Sequence, residues 1–467
     1  MTATLNLRFR PTYCLSSILS LVALLSSAVL TAKDLPVFSP EDVFEIEYAS
    51  DPRVSPDGSQ VAYVRVSMDI MTDRARRAIW VVDTDGTNHR PLVSGQGNFS
   101  SPRWSPSGDR LAYLSNTEGK TQLFVEWLDA GETAKVTTLP QSPSGIVWSP
   151  DGEQIAFTRL GPTAPPMLAT MPDKPKGATW AEPATVVDKM TFRVDGGGYL
   201  PSGSQQVFVV PAHGGPPRQM TSGDFPISSA VTWSPDSQSV IFFFFFRDDA
   251  EYHPRQSDLF AAALLTGQIT QITDTAGPEG RPVVSPNGRY LAYTQTADIR
   301  QGYNGAKLTI RDLTTSESRS LTTDFDRSVS DIQWSQDSKS LWISYTDLGM
   351  VRVAKIDLRG KLRQSDIVLG GTAIGRPYTS GSFSVGGKGR LAYTLGRDDR
   401  PADVALMRPG KTPLKLTDLN GDLMGQRQMT RAERITWPSS HDAMMIEGWV
   451  MKPPGFDPAK SYPMILE

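Results

Sequence analysis

The sequence offers few side chains that could do chemistry together. Its four histidines, His89, His213, His253 and His441, are the available general bases, and none has the spacing to another histidine or to a cysteine that a metal site uses. No G-x-S-x-G pentapeptide, the turn that presents a nucleophilic serine, occurs in the 467 residues. The residues themselves therefore nominate no catalytic, metal-binding or cofactor-binding side chain.

Two glycine-rich segments have compositions seen in anion-binding loops. His213-Gly214-Gly215-Pro216 could build an oxyanion hole, but it separates two short apolar runs, where Gly-Gly-Pro is ordinary turn chemistry. Gly196-Gly197-Gly198 follows a strand-like run but opens no helix pattern, which argues against a phosphate cradle. We interpret both segments as turns.

Any site must be positioned by a repeat that runs along almost the whole chain. Its core is Trp148-Ser149-Pro150-Asp151-Gly152 followed by the apolar run Ile155-Ala156-Phe157. Ser starts a type I turn, Pro presets φ at the second position, Asp or Asn suits the third, and Gly takes the left-handed conformation. Each copy therefore predicts strand, tight turn, strand, with one extra turn residue in the seventh copy. The seven copies have their serine at Ser55, Ser105, Ser149, Ser234, Ser285, Ser335 and Ser384.

Further apolar runs complete each unit. A third run follows every hairpin, as at residues 79–82 and 207–210. A fourth, short run closes most units, at residues 92–94, 220–221, 272–273, 321–322 and 416–417. Four strands is the count of a propeller blade. The predicted fold class is therefore all-β, a seven-bladed β-propeller whose last blade meets its first. An open β-solenoid and two stacked sandwiches are the alternatives.

Composition and charge exclude some classes of protein. The apolar fraction of 39% and the charged fraction of 21% are those of an ordinary soluble protein, long enough for more than one domain. The formal net charge of -3 and the lack of a basic run argue against nucleic acid as a partner.

The first residues read as a secretory signal peptide, which we place at residues 1–32. Arg8 and Arg10 precede an apolar stretch over about 15–30 that ends in small residues. An uncut membrane anchor is the alternative, but the apolar core is short for a stable span. Cys14, the only cysteine, precedes that core, so the mature chain would have no thiol. This pattern predicts a periplasmic or secreted protein.

Three segments depart from the repeat. In residues 33–50, Ser39, Pro40 and two acidic residues predict a short helix from Ser39 to about Tyr48. The spacing of 85 residues between the third and fourth serines predicts an insertion within blade three, with an exposed loop over 161–176. That insertion either shapes a binding face or is a solvated excursion. Five consecutive phenylalanines, residues 242–246, predict a core strand in blade four.

The repeat stops after Asn420, so we place the propeller at residues 51–420. Two strands on either side of residues 441–443 follow, and a third begins at Tyr462. An apolar strand needs neighbours to bury it. Because the chain stops inside that strand, we expect residues 430–467 to be the start of a second domain, a truncated α/β-hydrolase in the light of the resemblance below.

Three features of the sequence occur together: the repeated blades, the Trp180 to Tyr199 segment with its Asp-Gly-Gly-Gly-Tyr, and the tail from Gly448 through Pro453-Pro454-Gly455-Phe456 to Tyr462-Pro463. Together they resemble the prolyl oligopeptidase family of serine peptidases. The similarity is greatest to its acylaminoacyl-peptidase and dipeptidyl-peptidase-like branch. The resemblance covers essentially everything after the signal peptide. The blade motif by itself is shared with TolB-type propellers, whereas the blades together with that tail are more specific.

This resemblance implies a propeller that covers an α/β-hydrolase domain and limits access to short peptides. It implies acyl transfer to a serine, with histidine as base and an aspartate orienting it. The family's oxyanion loop and triad come after the strand that resembles residues 462–466, so no catalytic residue is carried over and this chain by itself should be inactive. Asp248, Asp249 and Glu251 do not match the acidic residues that bind a peptide amino terminus in the dipeptidyl branch, and we interpret them as a solvated loop. The alternative is a periplasmic TolB-like propeller that binds proteins without catalysis.

Overall fold

The structure is a computed structural model, and its strands form a ring of seven sheets. It describes residues 35–164, 166–169, 172–181, 184–223, 227, 230–244, 252, 256–297, 304–371 and 380–466. Each of the seven sheets has four antiparallel strands that lie in chain order across the sheet. The seven-bladed propeller predicted from the repeat is confirmed. The predicted signal peptide and His253 lie outside the described residues.

Blades one to four each contain four strands. Blade one has β1 Glu47–Val54, β2 Gln60–Asp69, β3 Arg74–Asp83 and β4 Arg90–Val93. Blade two has β5 Phe99–Trp104, β6 Arg110–Ser115, β7 Gln122–Trp127 and β8 Glu132–Lys135. Blade three has β9 Ser144–Trp148, β10 Gln154–Pro162, β13 Gly203–Pro211 and β14 Arg218–Gln219. Blade four has β15 Thr232–Trp233, β16 Ser239–Phe244, β17 Asp258–Ala263 and β18 Ile269–Gln271.

The other three blades and two separate hairpins follow. Blade five has β19 Glu279–Val284, β20 Tyr290–Gln295, β21 Lys307–Asp312 and β22 Ser318–Ser320. Blade six has β23 Val329–Trp334, β24 Ser340–Asp347, β25 Met350–Asp357 and β26 Leu362–Leu369. Blade seven has β27 Phe383–Val385, β28 Leu391–Arg397, β29 Arg400–Met407 and β30 Leu414–Lys415. The hairpins are β11 Arg193–Val194 with β12 Gly198–Tyr199, and β31 Ala432–Pro438 with β32 Met445–Met451.

The repeated turns have the predicted geometry. In blade one the N–H of Gly58 donates to the carbonyl of Ser55 at 2.9 Å, and Gly58 has φ +74°. The Asp57 carboxylate accepts the Ser55 hydroxyl and the Ser59 N–H, which fixes the turn locally. Where the glycine is replaced, in blades four and six, Ser237 and Ser338 take the left-handed conformation. The turn therefore follows from local sequence in all of these copies.

The tryptophan of the repeat connects neighbouring blades. The indole N–H of Trp104 donates to the carbonyl of Arg53 at 2.9 Å, and that of Trp148 donates to the carbonyl of Arg103 at 2.9 Å. Trp233 and Trp334 make the same bond to the carbonyl that lies two residues before the turn serine of a neighbouring blade. Each bond ties the backbone of one blade to the tryptophan of the next. The core is continuous because each apolar cluster combines residues of adjacent blades.

The fourth strands end before the threonines that were predicted to belong to them. In blade three, β14 ends at Gln219, and the Thr221 hydroxyl accepts the N–H of Val207 at 2.9 Å. Thr137, Thr273, Thr322 and Thr417 accept a third-strand N–H in the same way. A hydroxyl that takes the place of a backbone acceptor ends the strand ladder, which explains the shift. We call this contact the threonine clamp.

The ring closes by packing between blades seven and one. A single apolar cluster contains Val61 and Tyr63 of blade one together with Val404 and Leu406 of blade seven. The N–H of Val54 donates to the Ser384 hydroxyl at 2.9 Å across the same seam. Within the described residues every blade takes its four strands from one continuous stretch of the chain, interrupted only by the β11–β12 hairpin in blade three, so no strand is exchanged between the first and last blades.

Other predictions from the sequence have mixed outcomes. The N-terminal helix is a 3₁₀ helix, Pro40–Glu45, because β1 takes the residues from Glu47 onward. The insertion leaves blade three between β10 and β13, as predicted. Phe242 and Phe244 are buried core residues, while 245–246 lie outside the described residues. The strand predicted at Tyr462 is wrong: residues 461–466 pair with no strand in the described part of the chain, so nothing stabilises an extended ladder there.

Candidate functional site on the loop face of the ring

The two ends of each blade differ in what they carry. Because successive strands run antiparallel, the turns after first and third strands share one face, and the loops after second and fourth strands share the other. We call these the turn face and the loop face. The insertion at 163–202, the N-terminal segment 35–46 and the segment after β30 all project from the loop face. The loop face is therefore the candidate functional surface of the ring.

The start and the end of the propeller are tied together on the loop face. Arg427 donates to both carboxylate oxygens of Asp42, at 2.7 Å each. The side-chain amide of Asn420 accepts the Glu47 N–H and donates to the Glu47 carbonyl. These hydrogen bonds from Arg427 hold the pKa of Asp42 at about 2. Sequence reasoning missed Asn420 and Arg427, since their partners lie more than 370 residues away.

The hairpin of β31 and β32 lies against blades six and seven. The Trp449 ring covers Gly349, in the turn between β24 and β25, so closely that a Cβ there would overlap the ring. Arg431 pairs with Asp399 at 2.8 Å, between β28 and β29, and the N–H of Ala432 donates to Asp398. Burial would raise the pKa of Asp399, but hydrogen bonds from Arg431 and Arg397 outweigh it and lower the pKa. The hairpin thus starts from a fixed point on the ring.

The segments on the loop face expose large apolar side chains. On the hairpin, Trp437 is 42% exposed and Met445 61%, and in the insertion Met190 is 63% exposed and Tyr199 64%. A face with apolar side chains from several segments is typical of a protein contact surface. The loop face is therefore suited to contact with folded protein.

A charged network joins the first strands of blades one and two. Asp51 bonds Arg53 of its own strand at 2.8 Å and Arg103 of the next blade at 2.8 Å. Burial would raise the pKa of Asp51, but the two guanidinium groups outweigh it and lower the pKa. First strands of neighbouring blades lie side by side around the axis, so this network borders the centre of the ring.

The described histidines lie apart from one another. His89 accepts or donates a 2.7 Å bond with the Tyr63 hydroxyl and packs on Trp80, and burial followed by the charge of Arg65 lowers its pKa. His213 lies in the turn between β13 and β14, as predicted. His441 lies in the hairpin turn, where its backbone N–H donates to Ser439. In none of these three contacts does a histidine ring bond a serine or cysteine that it could activate as a nucleophile.

Other predicted features have plain structural roles. Gly196 and Gly198 form the turn between β11 and β12 with positive φ, which agrees with the turn interpretation. Asp248, Asp249 and Glu251 lie outside the described residues. Across the part of the chain that the structure describes, no three acidic, histidine or cysteine side chains are grouped to hold a metal ion. Nor does any helix in that part have the length and apolarity to cross a bilayer.

Two family descriptions match different parts of the chain. Residues 58–163 match the family described as TolB beta propeller domain. Residues 179–298 match the N-terminal region of dipeptidyl peptidase IV. The second match includes the later part of the blade-three insertion and blade four, which the TolB match does not reach.

Relatives of known type match nearly the whole chain. An uncharacterized peptidase of Bacillus subtilis, YuxL, is 25% identical over 91% of this chain and 65% of its own length. Dipeptidyl-peptidase 5 of Porphyromonas gingivalis is 26% identical over 92% of this chain and 62% of its own length. Acylaminoacyl peptidase of Pyrococcus horikoshii has the same fold over 90% of this chain and 60% of its own, with a TM-score of 0.69 and 18% identity.

These similarities confirm the resemblance seen in the sequence: the homologues are peptidases, one of them a dipeptidyl-peptidase, and a solved acylaminoacyl peptidase shares the propeller fold. The chain spans less than two thirds of the length of the curated relatives it matches.

Proposed function

We propose that this chain is the propeller portion of an exported serine peptidase of the prolyl oligopeptidase family. One observation carries the proposal: the chain matches peptidases over 91% and 92% of its own length but covers only 65% and 62% of theirs. The propeller accounts for the matched part. In this proposal the remaining third of the protein is an α/β-hydrolase domain that begins with residues 430–467.

The loop face supports this division of roles. The hairpin of β31 and β32 leaves the ring there with Trp437 and Met445 exposed, and a domain packed on that hairpin would bury them. In the proposed protein the ring then covers the active site and admits short peptides. Hydrolysis proceeds through an acyl-serine intermediate, with a histidine that takes the serine proton and returns it to the leaving amine. The serine, histidine and aspartate come from the hydrolase domain, so the 467-residue chain is inactive.

The export proposal depends on residues 1–32. Their charge, apolar core and small residues support a signal peptide, and in this proposal the mature protein is periplasmic or secreted. Mass spectrometry of the mature N-terminus tests this step. A processed terminus near residue 33 supports it, and a retained Met1 in the exported protein contradicts it.

A fluorophosphonate probe, which labels activated serines, tests the peptidase proposal. We expect the protein made from the complete reading frame to be labelled and the 467-residue chain to remain unlabelled. The family resemblance implies a G-x-S-x-G segment in the hydrolase domain, and replacement of its serine by alanine is the control, which should abolish labelling. Labelling of the 467-residue chain, or no labelling of the complete protein, contradicts the proposal.

A second candidate is a protein-binding TolB-like propeller without catalysis. The match of residues 58–163 to the TolB propeller family favours it. That match covers fewer than three of the seven blades, whereas the peptidase similarity runs through the whole ring. The same probe separates the two functions, because a binding module carries no activated serine at any length.

A further inference from the structure

The threonine clamps differ in the group that receives the threonine proton. In blades two and three the acceptor is an uncharged amide, Gln122 or Gln206, which immediately precedes the clamped third-strand residue. In blade seven it is Asp403, whose charge is paired with Lys415 at 3.2 Å. Blade four is different. Its corresponding residue is Asp258, but Thr273 donates instead to Glu279 of blade five.

Glu279 connects two blades through both its side chain and its backbone. Its side chain is buried, with only 2% of the residue exposed, at the start of the innermost strand of blade five. One carboxyl oxygen accepts the Thr273 hydroxyl and the other accepts the Thr275 hydroxyl at 3.0 Å. The Glu279 N–H donates to the Ser257 carbonyl at 2.9 Å, and the Ser257 hydroxyl returns a bond of 2.6 Å to the Glu279 carbonyl.

Among the described residues, Arg311 is the cation whose charge acts on the Glu279 carboxyl group, and it makes no ion pair with that group. Glu279 faces the charged groups of Asp258 and Arg311 and the hydroxyl of Tyr293, and Asp258 in turn faces Asp274. Burial, assisted by Asp258, raises the pKa of Glu279 to about 7 despite the opposing hydroxyls and Arg311. Burial and the charge of Asp274 also raise the pKa of Asp258.

Glu279 can make hydrogen bonds in either protonation state, but only the ionised state leaves a negative charge buried. When the acid is protonated, its hydroxyl can donate to Thr275, whose own proton can then turn to the Gly277 carbonyl at 3.5 Å. When it is ionised, a buried negative charge faces a second carboxyl group. A polar cavity of about 330 Å³, lined by Thr273, Thr275 and Arg311, lies next to the two hydroxyls that bond Glu279.

We propose that Glu279 and Asp258 form a proton-operated joint between blades four and five, tight when Glu279 is protonated and loosened when it ionises. When Glu279 ionises, its hydrogen bonds to Ser257, Thr273 and Thr275 loosen and these three residues move away from it. All of them lie at the loop-face end of the two blades. The joint therefore changes the order of the loop face with pH near neutrality, whether or not the chain is part of a peptidase.

Hydrogen exchange of the 467-residue chain, read by mass spectrometry between pH 5.5 and 8.5, tests the joint. Protection factors for peptides that span residues 256–260 and 272–282 should fall by roughly tenfold as the pH rises through 7, after correction for intrinsic exchange. Peptides that span the uncharged clamp of blade two, Gln122 with Thr137, are the internal control and should not change. Equal behaviour of the two clamps overturns the proposal.

Two variants identify the responsible groups. Glu279→Gln keeps an acceptor, adds a donor and cannot ionise, so its protection should stay constant over the same pH range. A fall as large as in the wild type overturns the assignment. Asp258→Asn keeps the acceptor for the Thr275 N–H and removes the neighbouring charge, so the midpoint should move to lower pH. If Glu279→Gln does not fold, this second variant decides, and an unchanged midpoint overturns the proposal.

Discussion

Arg427 and Asp42 are 385 residues apart in sequence and bonded by two contacts of 2.7 Å. The pair fixes the segment that leaves the ring against the segment that enters it. Asn420 and Glu47 add a second connection a few residues further into the ring. No strand is exchanged between blades one and seven in the described residues. The ring is therefore closed by these side-chain bonds and by the apolar packing between blades seven and one.

The first prediction concerns this pair. Asp42→Asn removes the charge that Arg427 binds, and we expect the melting temperature at pH 7 to fall by about 2 °C. Because the folded pKa of Asp42, about 2, lies below its unfolded value, the wild-type advantage should be present at neutral pH and disappear as the pH falls from about 4 to 2. Thermal melts at pH 7 and pH 3 measure both effects. Asp85→Asn, at an exposed turn acid, is the control, and an equal effect of the two variants contradicts the prediction.

The second prediction concerns the seam. Gly58 has φ +74°, and a Cβ there would overlap the backbone of Gly387 in blade seven. Gly86 has φ +93° with open space around it, so Gly86→Ala introduces backbone strain only. We expect Gly86→Ala to cost about 1–2 kcal/mol and Gly58→Ala roughly 3 kcal/mol or more in urea unfolding. Equal costs would show that blades one and seven are not in contact at this turn.

The third prediction concerns the threonine clamp of blade seven. Thr417 accepts the Val404 N–H at 2.9 Å and donates to Asp403 at 2.8 Å. Thr417→Val keeps the shape but leaves both buried groups without this partner, and we expect the free energy of unfolding to fall by about 1–3 kcal/mol. Thr417→Ser keeps the hydroxyl and should cost less than half of that. Equal free energies of unfolding for Thr417→Val and Thr417→Ser would show that the hydroxyl contacts do not stabilise the protein.

The fourth prediction concerns the tryptophans that connect blades. Trp148→Phe removes the donor to the Arg103 carbonyl and leaves a gap in a site that is only 7% exposed. We expect a loss of about 1–3 kcal/mol in urea unfolding. Trp437→Phe, at a position 42% exposed, is the matched control and should change stability little. The reverse order of these two costs would contradict the proposed role of the repeat tryptophan.

The ring could be predicted from the sequence because its information is local. Ser-Pro-Asp-Gly specifies its own turn through contacts within five residues, as Ser55, Asp57 and Gly58 illustrate. The clamp threonines of blades three, four, five and seven were mistaken for strand residues, because threonine favours strands and the pattern does not reveal that its hydroxyl replaces a backbone acceptor.

The contacts on the loop face could not be predicted in the same way. Asn420 bonds a residue 373 positions away, and Glu279 receives a hydroxyl that the pattern of the other blades assigns to Asp258. Both depend on the tertiary arrangement of the blades. The resemblance to a peptidase family indicated where to look for function, but the side chains that shape the loop face had to come from the structure.

The genomic reading frame downstream of the Glu467 codon is the most direct test of the central claim that this propeller is part of a serine peptidase. We predict that it continues with a His-Gly-Gly segment within a few codons and a G-x-S-x-G segment about a hundred codons on, as the family resemblance implies. A stop codon directly after Glu467 in intact genomic sequence would contradict the claim and favour the binding module.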